Sequence, residues 1–214
     1  PESFAGKKFV YEDCREGDYF NIVSPYSSAS VSVKNASETV MSTTVAKGGH
    51  KEINPDLPQD SAYIIESDSP ILVTYDANLR DVYMMHPMSD NLWGMMEDIM
   101  IGKDNTKITI YDSSGDILTD QVYDKYERLS GKSSSQGGST SIHAVANQSA
   151  LGGSRCADGD NGETDIGIPN NAMATDFRLP EPVAGSGNNY GDYYITLTTS
   201  ESATCSVYDS SGSL

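Results

Sequence analysis

Tyr19-Phe20-Asn21-Ile22-Val23, Val31-Ser32-Val33 and Thr39-Val40-Met41-Ser42-Thr43-Thr44-Val45 are the stretches that decide the fold. Each is short, rich in β-branched or aromatic side chains, and alternates apolar with polar positions. That two-residue period belongs to a strand with one buried face. Ser, Pro and Gly turns part the runs, so successive strands read as antiparallel neighbours. The same pattern extends outward to 62–66 and 70–75, separated by Ser67-Asp68-Ser69, and to 107–111, where a turn at Asp112-Ser113-Ser114-Gly115 leads into Ile117-Leu118.

Only residues 91–101 depart from this pattern. Leu92, Met95, Met96 and Ile99 fall at helical spacing, an Asn or Asp is available as cap, and Gly102 follows as a stop, which predicts one short helix. The class is therefore all-β, an antiparallel β-sandwich of jelly-roll or Ig-like type with one short helix. Residues 130–141 are Ser/Gly-rich and have the composition of a connection. The expected division is a β-sandwich domain over 1–130, a linker or loop over 131–141, and a smaller loop-rich β unit over 142–214 that ends in strands at 193–199 and 203–208.

Composition narrows the function. The 214 residues carry 31 acidic and 14 basic side chains, a formal charge of −17. Such a field repels phosphate backbones and anionic lipid headgroups, which disfavours nucleic-acid binding and membrane adsorption. No apolar run is long enough to insert in a membrane as a helix. The chain opens at Pro1 without a Met, which is expected of an exported product whose leader has been removed. Cys14, Cys156 and Cys205 form no C-x-x-C pair, which excludes a zinc ribbon and a thioredoxin-like site. In an exported protein an odd count leaves one disulfide and a spare thiol, or a cross-link to a neighbouring subunit. Asn35-Ala36-Ser37 and Asn147-Gln148-Ser149 are glycan-acceptor triplets.

Two internal echoes stand out. Gly17-Asp18-Tyr19-Phe20 recurs as Gly191-Asp192-Tyr193-Tyr194, and the match continues without a gap through Ser28-Ala29 against Ser202-Ala203 to Val33 against Val207, an offset of 191 − 17 = 174. Ile110-Tyr111-Asp112-Ser113-Ser114-Gly115 recurs as Val207-Tyr208-Asp209-Ser210-Ser211-Gly212. Duplication of a β-hairpin block accounts for both echoes, as does convergent turn chemistry. An unfinished sheet would expose a pairing edge through which secreted subunits polymerise.

The best ligand cluster is Asp158-Gly159-Asp160-Asn161-Gly162-Glu163-Thr164-Asp165. Asp158, Asp160, Asn161, Glu163 and Asp165 supply hard oxygen donors around two glycines that let the backbone curl, the donor chemistry Ca²⁺ requires. The spacing departs from an EF-hand because Gly stands fifth and no twelfth-position Glu follows; a solvated acidic loop is the competing reading. Met84, Met85, Met88, Met95, Met96 and Met100, with His86 and Trp93 among them, offer thioether and imidazole groups suited to Cu(I), but Met at this density reads first as core packing or subunit contact. His50, His86 and His143 are scattered, and no nucleophile elbow, zinc-protease helix or phosphate-binding loop occurs. No enzyme is expected. Tyr residues and the lone Trp leave a sugar-stacking module as an alternative.

Ala62-Tyr63-Ile64-Ile65-Glu66-Ser67-Asp68-Ser69-Pro70-Ile71-Leu72-Val73 resembles the S-D-x-P-I/V segment of extracellular β-sandwich domains such as the IgGFc-binding-protein amino-terminal type. In overall style the acidic, Ser/Thr/Gly/Tyr-rich chain also resembles subunits of microbial surface layers, sheaths and calcium-dependent extracellular tubes, archaeal ones in particular. These resemblances imply a cell-surface protein that is its own partner, a homopolymer with calcium as the ion, with glycans as further partners. The expected function is an extracellular structural subunit that self-assembles into a layer, sheath, tube or filament; the alternative is a monomeric adhesion or carbohydrate-binding module.

Overall fold

The computed structural model describes residues 4–12, 19–54, 62–76, 82–94, 96, 98–129, 141–156, 164–166, 168–172 and 202–208. Their regular structure is antiparallel β, with short 3₁₀ turns such as Asn170–Ala172. By contacts the chain divides into Pro1–Ala174 and Thr175–Leu214.

Seven strands build the first half of the larger unit: β1 (Gly6–Glu12), β2 (Tyr19–Val23), β3 (Ala29–Lys34), β4 (Thr39–Val45), β5 (His50–Ile53), β6 (Ala62–Asp76) and β7 (Val82–Met84). The 15-residue β6 organises them. Its first part pairs with β1 and β3, with β4 beyond β3; its second part pairs with β2 and β7, with β5 beyond β2. The break expected at Ser67-Asp68-Ser69 is absent because the strand continues while its partners change. At that point Asp68 Oδ1 accepts from the Ser30 N–H at 2.9 Å, a side-chain bond standing in the ladder.

One parity of β6 is buried on both sides of the partly exposed Ser67 and Ser69. Tyr63, Ile65, Ile71, Val73 and Tyr75 share a core with Phe9, Tyr11, Phe20, Ile22 and Val31. Tyr11 meets Phe20 edge-on with centroids 4.3 Å apart, and Phe20 meets Tyr75 at 5.1 Å. Burying each such side chain contributes about 1.5–3 kcal/mol, and each aromatic pair about 0.5–1.5 kcal/mol beyond area.

Nine strands follow: β8 (Asn91–Gly94), β9 (Asp98–Ile101), β10 (Thr106–Tyr111), β11 (Ile117–Tyr123), β12 (Arg128–Leu129), β13 (Ile142–Ala146), β14 (Leu151–Cys156), β15 (Thr164–Ile166) and β16 (Ile168–Pro169). They form a five-stranded sheet ordered β11-β10-β13-β8-β16 and a four-stranded sheet ordered β12-β9-β14-β15. Leu92, Met96, Ile99, Ile108, Ile110 and Leu151 are fully buried in their common core.

The helix expected over 91–101 is not formed. β8 lies in the five-stranded sheet and β9 in the four-stranded one, so the chain turns a corner between layers, with Gly94 at φ 136°. Leu92, Met96 and Ile99 reach one core from either side of that corner, and this crossing mimics helical spacing. The sheets also run across the boundary expected at 131–141: β13 sits between β10 and β8, and β14 pairs with β9. Residues 193–199 lie outside the described residues, as does the linker apart from Ser141. Residues 202–208 are exposed, carry no regular secondary structure and join no sheet among the described residues, whereas a strand was expected from 203 to 208.

Inside the larger unit the two halves meet through strands buried on both faces. Val10, Ala62 and Ile64, on the opposite parity to the first core, pack with Met100, Met88 and Tyr126. Beside this contact the Arg128 guanidinium lies between two carboxylates, with Nε 2.5 Å from Glu12 Oε1 and Nη2 3.1 Å from Asp98 Oδ2. The Glu12 and Asp98 side chains are 0% and 2% exposed, so the pair of anions depends on this cation and on hydrogen bonding.

Candidate functional site

Asp158, Asp160, Asn161 and Glu163 lie outside the described residues. Asp165 pairs through its backbone with Arg155, and Cys156 and Thr164, on either side of residues 157–163, stand opposite each other in the same β14–β15 ladder. Of the methionines, Met85, Met96 and Met100 are buried in apolar cores, the packing role, while Met84 is exposed. The histidines do not converge: His50 is exposed on β5, His86 Nδ1 is 2.9 Å from the Pro87 carbonyl, and His143 contacts Asn91.

The five-stranded sheet carries a row of side chains that the sequence reading missed, because the row is set by the register between strands and 91–94 reads as helix. Ile117 stands opposite Tyr111, Tyr111 opposite His143, His143 opposite Trp93, and Trp93 opposite Ile168. Directly opposed residues share a face, so five side chains from five strands cross the sheet in line. The Trp93 and His143 rings are parallel within 9° with centroids 3.6 Å apart; Tyr111 follows at 5.7 Å. Burial holds the His143 imidazole below its ordinary pKa, and its Nε2–H donates to Asn91 Oδ1 at 2.9 Å. Stacked this way, the imidazole covers one face of the Trp93 indole.

At one end of that sheet lies a cleft of about 540 Å³. Its polar lining comes from Ser89, Asp90, Asn91, Ser149 and Asn171, and its lining residues include no lysine or arginine. At the opposite margin β11 has one neighbour among the described residues, β10, and exposes Ile117 (60%), Leu118 (48%) and Val122 (61%). Asp120 is the one charged residue of β11. The Thr109 hydroxyl at 3.0 Å and the Lys107 ammonium at 3.2 Å hold its carboxyl below the usual carboxylate range. Natural edge strands are usually blunted by lysine, proline or inward charge. β11 carries no Lys or Pro, and its anion already has a cation on its own sheet.

Two further groups tune the surface, one in each half of the larger unit. Lys34 and, at 2.8 Å, Lys8 donate to Glu66, and these bonds lower its pKa to about 2. At the β10–β11 turn, Asp112 Oδ1 accepts from the N–H groups of Ser114 (2.8 Å) and Asp116 (2.9 Å), so this aspartate is a turn former. No family model, curated protein or solved structure matches the chain.

Proposed function

We propose that this chain is an extracellular structural subunit that associates with copies of itself into a layer, sheath, tube or filament at the cell surface. The observation that carries the proposal is the edge of β11 that has no strand partner among the described residues, seven residues long with three large apolar side chains exposed. An unpaired row of backbone N–H and C=O groups flanked by apolar side chains is a template for another strand. A charge of −17 on each copy opposes close packing. Ca²⁺ held by Asp158, Asp160, Asn161, Glu163 and Asp165 would reduce that repulsion, and it is part of the proposal.

The alternative, a monomeric adhesion or carbohydrate-binding module, draws support from the cleft bounded by Ser89, Asp90, Asn91, Ser149 and Asn171, whose lining suits a neutral polyhydroxyl ligand. Light scattering and negative-stain imaging, with millimolar calcium and again with a chelator, separate the two. Ordered polymers that dissolve in chelator are the expected result. A monodisperse monomer in both conditions would overturn self-assembly and leave the cleft as the site to test with glycans.

A further inference from the structure

We propose that residues 202–208 of one copy add as a strand to the free edge of β11 in another. This deepens the self-assembly reading and rests on it.

The segment Ser202-Ala203-Thr204-Cys205-Ser206-Val207-Tyr208 is exposed at every position, carries no regular secondary structure and joins no sheet among the described residues. Its sequence is that of a strand used elsewhere in this chain. At the offset of 174 it aligns with Ser28-Ala29-Ser30-Val31-Ser32-Val33-Lys34, which contains β3, a strand with neighbours on both sides. In β3, Ala29, Val31 and Val33 are buried at 1%, 3% and 1% exposure. Ala203, Cys205 and Val207 repeat that parity of small apolar side chains, and hydroxyls occupy most of the other parity.

A second likeness points to the acceptor. Val207-Tyr208-Asp209-Ser210-Ser211-Gly212 echoes Ile110-Tyr111-Asp112-Ser113-Ser114-Gly115, and the residues of β10 in that echo are the native partners of β11. A strand of the β10 type is therefore compatible with β11 in side-chain size and backbone twist. Charge agrees. In a chain of net charge −17, residues 202–208 carry none, and Asp120 on β11 is already paired with Lys107, so this is a contact that two acidic copies can make without opposing like charges. Val207 and Tyr208, 55% and 62% exposed, bring apolar surface to meet Ile117, Leu118 and Val122.

The readout is Cys205, free and exposed in the isolated chain. Strand addition covers residue 205, so its alkylation by a maleimide, located by peptide mass spectrometry, should slow about tenfold or more as the full chain is concentrated into assemblies. Val122→Lys and Val207→Lys change exposed side chains on either side of the contact; each should keep its circular dichroism, stay monomeric and keep Cys205 fast. Assemblies in which Cys205 reacts as in dilute solution, or a Val207→Lys chain that assembles like wild type, would overturn the strand assignment while self-assembly stands. Protection that does not depend on concentration would place the strand within its own chain and overturn it as well. A chain that never associates would remove both readings.

Discussion

Gly152 on β14 lies against the backbone carbonyl of Val10 on β1, so closely that a Cβ at 152 would stand 2.2 Å from that oxygen. The relationship ties the two halves of the larger unit together where both strands are buried on their outer faces. Gly152→Ala forces the backbones apart or strains one of them, an overpacking cost of about 1–3 kcal/mol. Urea denaturation should show a lowered midpoint with circular dichroism retained in water; an unchanged midpoint would mean the two strands do not approach this closely.

Arg128 is the cation shared by Glu12 and Asp98 in the same joint. Arg128→Met leaves two buried carboxylates without it, and stability should fall by about 3–5 kcal/mol at neutral pH, less if water reaches the gap. Removing the anions as well, in Glu12→Gln/Asp98→Asn/Arg128→Met, should recover much of the loss. A triple variant no better than the single one would show that the joint depends on the shape of Arg128 and not on its charge.

How much of this was legible in the sequence depended on how many faces of a strand are buried. β2 and β3 bury one face, so the alternation in Tyr19-Phe20-Asn21-Ile22-Val23 and Val31-Ser32-Val33 located them directly. Phe9-Val10-Tyr11 and Ala62-Tyr63-Ile64-Ile65 lack alternation because one parity serves the first core and the other the joint. Unbroken apolar runs are the mark of two-sided burial, but they do not name the partner. At Gly94 periodicity misled, since a change of sheet within a few residues brings Leu92, Met96 and Ile99 to one core much as a helix would. The row from Ile117 to Ile168 draws on five strands and depends on register, which no single window of sequence contains. The acidic stretch was legible as chemistry and has no geometry on the described residues beyond the ladder that flanks it.

Glu66 gives the first half a defined acid response. Hydrogen bonds from Lys34 and Lys8 hold its pKa at about 2, below the ordinary 4.5. A depressed folded-state carboxyl contributes stability that is present above pH 4.5 and lost as pH falls toward 2. Because the site is partly open to solvent, the contribution is about 1–2 kcal/mol. Glu66→Gln should lower the neutral-pH midpoint and flatten the acid limb over that window; parallel limbs for wild type and variant would contradict the assignment.

Trp93 reports on His143. Burial lowers the His143 pKa from its ordinary 6.5, so the folded state resists protonation. Its neutral form favours folding fully above pH 6.5, and that advantage declines as pH falls through the lowered folded-state value. Imidazolium formation 3.6 Å from the indole should quench Trp93 fluorescence with a midpoint below 6.5. His143→Phe should keep the stack and remove that transition. A midpoint at or above 6.5 would mean that the imidazole is not buried against Trp93.

Calcium binding is the remaining test of the proposed assembly. Asp158, Asp160, Asn161, Glu163 and Asp165 are all oxygen donors, and the β14–β15 ladder holds Cys156 and Thr164 opposite each other, so the segment that carries the first four donors starts and ends at one place, with Asp165 next to it in the ladder opposite Arg155. Closing a loop in advance lowers the entropy that an ion must overcome to gather its ligands. Extracellular oxygen sites of this type bind Ca²⁺ at about 0.1–1 mM, and removing one carboxylate charge should weaken that by about tenfold. Isothermal titration should show the loss for Asp160→Asn and no change for Asp116→Asn, a substitution in the β10–β11 turn, where residue 116 contributes its backbone N–H to Asp112. Equal effects of the two substitutions would reduce calcium to a general screening ion, and assembly would then respond to ionic strength alone.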